Sequence, residues 1–128
     1  MIVERKQGRA MPRTGADFDK FSDFMYSFRS HANFGFTFTD VDGLFRNYLK
    51  RTIGFVEVKT YGNNLSYHQD QLFEQLDEIF RKGMTDGWTY IGRFTLKFDK
   101  TCFSDGLAYL NDKKITETEF INFLNKYF

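Results

Sequence analysis

The stretch GFVEVKTYG, residues 54–62, sets Glu57 and Lys59 two positions apart in an apolar run with the composition of a buried strand. Alternate residues of a strand share a face, so the acid and the amine project together while Val56 and Val58 point the other way. Burying both charges without compensation costs several kcal/mol. Only a fold that sets balancing groups against that face can accommodate this strand. A divalent cation held by a second carboxylate meets the need. Asp42, 15 residues earlier on the preceding strand, is the natural partner, with Asp40 as its rival on the same face.

The surrounding chain supplies the elements. Phe18, Phe21, Met25 and Phe28 recur at helical spacing after Thr14, predicting an amphipathic helix over 16–29. Over 34–47 the period falls to two, with Phe34, Phe36 and Phe38 alternating with small residues, which is strand grammar. A second strand is expected over 51–61, joined through YLKR as a hairpin. Ser66 and Gln69 form a capping box that opens a helix ending at Gly83, with Leu72, Phe73, Leu76, Ile79 and Phe80 as its buried stripe. Residues 88–98 read as another strand and AYLNDKKI as a small hairpin. Thr116 and Glu119 cap a last helix whose apolar face is Phe120, Phe123, Leu124 and Phe128. The expected fold class is mixed α/β, a central sheet flanked by helices.

At 128 residues the chain has room for one domain. Residues 1–13 carry Arg5, Lys6, Arg9 and Arg13 with no apolar period and read as a flexible basic tail, leaving 14–128 as the domain. The net charge of +1 supplies no bulk attraction to nucleic acid, so any such binding must come from a local patch. Cys102, alone, cannot form an internal disulfide, which fits a reducing compartment. No apolar run is long enough to span a membrane. The expectation is a soluble protein acting in the cytoplasm, of a cell or of a virus's host, with no membrane partner and no small-molecule cofactor.

Acid-x-Lys is a weak motif alone. It occurs three times, as Glu4/Lys6, Glu57/Lys59 and Asp112/Lys114, and chance supplies a match or two at this composition. Only Glu57/Lys59 lies in an apolar strand. An Asp on one strand followed by Glu-x-Lys on the next is the arrangement of metal-dependent phosphodiester cleavage. Two carboxylates and a main-chain carbonyl offer the hard oxygens that Mg²⁺ prefers. Such a cation activates water and neutralises transition-state charge, while Lys59 would orient the attacking water.

The segment VEVKTYGNNLSYHQDQLFEQL, residues 56–76, resembles the PD-(D/E)xK nuclease superfamily, and within it the VRR-NUC group. The shared pattern is Glu57, Lys59, a turn with Gly62, Leu65-Ser66, then Gln69 at the start of an amphipathic helix. DVDGLF, residues 40–45, resembles the family's metal-binding aspartate. The usual Gly-x-x-Asp-Leu approach is replaced by Thr-Asp-Val-Asp-Gly, which keeps Asp40 beside Asp42 as a ligand candidate. The resemblance covers residues 36–80; beyond them only element order agrees. It implies a restriction-endonuclease-like core, dependence on Mg²⁺ or Mn²⁺, and DNA cleavage. Asp42, Glu57 and the Val58 carbonyl would bind the metal, Lys59 would be catalytic and Gln69 would support it. An acidic residue from the first helix, Asp17, Asp19 or Asp23, would fit the superfamily's pattern as well. By analogy with stand-alone members, the substrate would be branched DNA such as a four-way junction, and the protein a homodimer.

Other readings stand beside this one. FTFTDVDGLF also resembles the nucleophile motif of haloacid-dehalogenase-like phosphatases, but Leu44 stands where that motif needs Thr. A non-catalytic nucleic-acid-binding or assembly module on a nuclease fold is the alternative from another class. Arg46, Lys50 and Arg51, in the hairpin between the motif strands, are candidates for phosphate contact or a solvated turn. His68 and His31 read as solvated, and Arg81, Lys82, Arg93 and Lys97 are too dispersed along the chain to carry a claim.

Overall fold

Residues 1–40 and 41–128 form separate compact units. The structure, a computed structural model, describes residues 15–28, 31 and 41–128. The basic tail 1–13, the alternating Phe34–Phe38 run and Asp40 lie outside the described residues. In the first unit, α1 spans Gly15–Phe28. Its buried line runs through Ser22 and half-buried Met25, while Phe21, Phe24 and Phe28 are exposed. That line is rotated by one residue from the Phe21–Met25–Phe28 stripe the spacing suggests, and Phe24 and Phe28 stack on each other at 6.5 Å.

The second unit is a mixed α/β arrangement built on a five-stranded sheet in the order β1-β2-β3-β4-β5. β1 (Gly43–Asn47) runs antiparallel to β2 (Thr52–Lys59), and β2 runs parallel to β3 (Thr89–Phe98). β4 (Ala108–Leu110) and β5 (Lys113–Ile115) complete the sheet as an antiparallel hairpin. α2 (Tyr67–Gly83) connects the parallel pair, and α3 (Glu117–Tyr127) closes the chain. Asp42 stands just before β1 rather than within a strand.

β2 is shorter at its end than the apolar run suggests. Tyr61 and Gly62 adopt left-handed φ values of 55° and 69°, and their amides donate to the carbonyls of Lys100 and Phe98. Glycine takes such a φ without steric cost, and the chain reverses there toward α2. A bulge between Ile53 and Gly54 adjusts the pairing with β3. A Cβ at Gly54 would lie 2.8 Å from the Gly92 carbonyl oxygen and 3.0 Å from the Phe128 ring, so this crossing tolerates only glycine.

The two faces of the sheet differ. One carries Val56, Leu96, Phe98 and Ala108 as a buried cluster, with Phe45, Val58, Phe94, Phe103 and Phe120 packed against it. α3 covers this face through rings: Phe123 meets Phe94 at 5.0 Å and Phe128 meets Phe45 at 5.2 Å. On the other face Phe55 packs against Phe73 and Phe80 of α2 at 5.8 and 5.7 Å. Phe80 in turn stacks on Tyr90, whose hydroxyl donates to Asp77 at 2.7 Å. Ile79, expected in the buried stripe of α2, is exposed. The helix is rolled so that Asp77 and Phe80, not Ile79, meet the sheet.

Candidate active site

Glu57 and Lys59 follow Phe55 along the face of β2 that α2 covers. Phe55 occupies the apolar part of that face, and the charged pair lies beyond it, beneath the start of α2. Glu57 is only 5 % exposed. The antiparallel register pairs Gly43 with Val56, so one step further it sets Asp42 opposite Glu57. One hydrogen bond joins Asp42 to Glu57 there, and a second ties Asp42 to the next residue of β2. The Asp42 amide donates to Glu57 Oε1 at 3.3 Å, and the Val58 amide donates to Asp42 Oδ2 at 2.7 Å.

Burial, and then the charge of Asp42, push the Glu57 carboxyl up from its ordinary 4.5 to about 7. Lys59 opposes this shift, and its influence is the weakest of those acting. Its ammonium turns instead to Gln69, donating to Oε1 at 3.1 Å. The same oxygen accepts the Ser66 amide at 3.1 Å, while Ser66 Oγ accepts the Gln69 amide at 3.1 Å. The helix cap therefore fixes the group that holds the lysine.

Asp42 and Glu57 are a pair of adjacent carboxylates, and burial together with the Asp42 charge raises the proton affinity of Glu57. That donor set fits a hard divalent cation. Among the described residues no group of three or more His, Cys, Asp and Glu side chains gathers. At Val58 it is the amide that meets Asp42. Asp23 lies exposed on α1, in the other unit. His31 and His68 are exposed.

The hairpin cations are not brought to the carboxylates. Arg46 lies over the Trp88 ring at 5.0 Å, Lys50 donates to the Asn125 carbonyl at 2.9 Å and Arg51 to the Asp86 carbonyl at 2.8 Å. They sit at the opposite end of β2, about 13–20 Å along the strand from Glu57 at its usual rise. Besides Lys59, the basic residues nearest the carboxylates in the sheet are on β3. Thr95 pairs with Glu57, Lys97 with Lys59 and Arg93 with Phe55, so all three β3 residues share the α2-covered face. Nothing in the linear sequence marks them, because parallel pairing across a helix joins residues more than 35 positions apart.

No protein family, curated protein or solved structure matches this chain.

Proposed function

We propose that the chain is a divalent-metal-dependent DNA endonuclease with a restriction-endonuclease-like core, resembling the VRR-NUC group of PD-(D/E)xK nucleases. The observation that carries this reading is the junction of Asp42 and buried Glu57, with an amine on the same face held by Gln69. Mg²⁺ or Mn²⁺ would be held by Asp42, Glu57 and the Val58 carbonyl, and would supply activation of water and neutralisation of phosphate charge. Lys59, presented by Gln69, orients the attacking water and offsets negative charge as it develops on the phosphate. Burial of Glu57 strengthens both interactions by excluding solvent.

Branched DNA, with a four-way junction as the first choice, is the proposed substrate. A homodimer is the proposed assembly, because two-fold symmetry sets two sites on two strands. The test incubates the purified protein with a four-way junction and a duplex of matching sequence, in Mg²⁺ and in Mn²⁺. Cutting by the wild type and silence of Lys59→Ala is the expected result. Failure to cut branched, nicked or linear DNA, with Lys59→Ala indistinguishable, overturns the reading.

A nucleic-acid-binding or assembly module on the same fold is the second reading. It is favoured by the commitment of Asp42 Oδ2 to the Val58 amide. Calorimetric titration with Mn²⁺ separates the two, since a module without catalysis takes up no metal.

A further inference from the structure

One strand further across the sheet from the acid pair lies a cleft of about 460 Å³. Arg93, Thr95 and Lys97 form its floor, the start of α2 with Tyr67 one wall, and Asp112 of the β4–β5 turn the other. None of Asp42, Glu57, Lys59 and Gln69 lines it.

Its cations are arranged unequally with their partners. The Arg93 and Lys97 side chains are only 20 % and 22 % exposed, whereas Asp70 and Asp112, to which they bind at 2.7 and 3.1 Å, are 61 % and 83 % exposed. The Asn64 side chain also accepts from Lys97. The charges are thus held in place by the fold, while the balancing carboxylates stand in water. Ion pairs with so much solvent contact contribute little, and a phosphate offers a guanidinium or ammonium a charge-assisted contact of the same kind. At the rim, Tyr67 is 71 % exposed, and its hydroxyl accepts from Gln71 at 2.8 Å. A flat apolar face is held in the open beside two cations.

Phosphate-binding cations beside an exposed ring are the combination by which proteins bind an unpaired nucleic-acid strand. We infer that the cleft binds a single-stranded nucleic-acid segment, with phosphates on Arg93 and Lys97 and a base stacked on Tyr67. The register extends the path: Lys97 stands beside Lys59 and Thr95 beside Glu57, on neighbouring strands about 4.8 Å apart. The inference rests on the nuclease reading only in making this strand the one delivered to Glu57 and Lys59.

The test is fluorescence-anisotropy titration of labelled oligothymidylate and oligouridylate in EDTA, where binding is read without cleavage. Arg93→Gln and Lys97→Gln should each weaken binding and each lower the salt slope by about 0.7. Tyr67→Ala should weaken it about 5- to 160-fold, the loss of one stacked base. Asp112→Asn, which frees Lys97 and suits the left-handed φ of 68° there, should tighten binding, a gain that misfolding cannot produce. This pattern with either oligomer supports the site, and the tighter of the two names the sugar. Unchanged affinity in Arg93→Gln, Lys97→Gln and Tyr67→Ala, or weaker binding by Asp112→Asn, overturns it. Junction cleavage that persists with no such binding pattern removes the cleft alone; the binding pattern without any cleavage removes the nuclease reading alone.

Discussion

α2 and α3 begin with the same local device and use it differently. Ser66 and Thr116 are both extended N-caps, each accepting the amide three residues on, and the side chains of Gln69 and Glu119 each return to the cap amide. At α3 the second contact runs from the Thr116 amide to Glu119 Oε1 at 2.9 Å. At α2 the corresponding Gln69 oxygen takes Lys59 as well as Ser66. The difference lies in what is underneath: β2 presents a lysine to one helix start, whereas α3 lies over an apolar face. The residue type follows this difference. A neutral amide at Gln69 holds Lys59 without adding a third negative charge beside Asp42 and Glu57.

The comparison breaks first at Lys59. Lys59→Ala should lower junction cleavage about 10²- to 10³-fold, the scale for removing one electrostatic stabiliser, with the far-ultraviolet circular dichroism spectrum unchanged. Gln69→Ala is the next largest. It should cost roughly tenfold in cleavage, about 1.4 kcal/mol, by releasing Lys59. Kinetics on Gln69→Ala and Glu119→Ala in parallel should show the loss at α2 alone.

A pH series sharpens the contrast through Glu57. Its folded value, about 7, lies above its ordinary 4.5, so between these pH values the folded chain binds more protons than the unfolded one. The contribution of Glu57 to the stability of the metal-free protein should therefore be fullest below about pH 4.5 and be lost as pH rises through 7. Thermal melts should recover on adding Mn²⁺ at the upper end, and Glu57→Gln should remove this part of the slope. The smallest effect is expected at the second cap. Thr116→Ala should lower stability by about 1 kcal/mol in a urea titration and leave cleavage unchanged. Ser66→Ala should lower stability equally and lower cleavage with it.

Much of the element pattern was legible because it rests on short-range spacing. Both capping boxes, the end of α2 at Gly83, β3 to within a residue and the β4–β5 hairpin follow from periods and breakers inside a few positions. Burial was less legible. Ile79 and Ser22 show that a stripe shifts by a residue when the helix rolls against its surroundings. At the site, the shared face of Glu57 and Lys59 followed from the period of two. The bond from Lys59 to Gln69, the bond from Val58 to Asp42, and the distance of Arg46, Lys50 and Arg51 from the carboxylates did not. Each depends on how one element is placed on another.

The order of residues by itself determined that an acid and an amine share one side of β2 and that a capped helix begins seven residues after Lys59. Those facts are local, set by side-chain alternation and hydrogen bonds at a helix start. Only the tertiary structure decided that the cap's amide reaches the lysine, that burial and then Asp42 raise the proton affinity of Glu57, and that Arg93 and Lys97 lie on the neighbouring strand of the same face. Charges and hydrogen bonds act over a few ångströms of space, and parallel pairing of β2 with β3 determines which distant residues lie within that range.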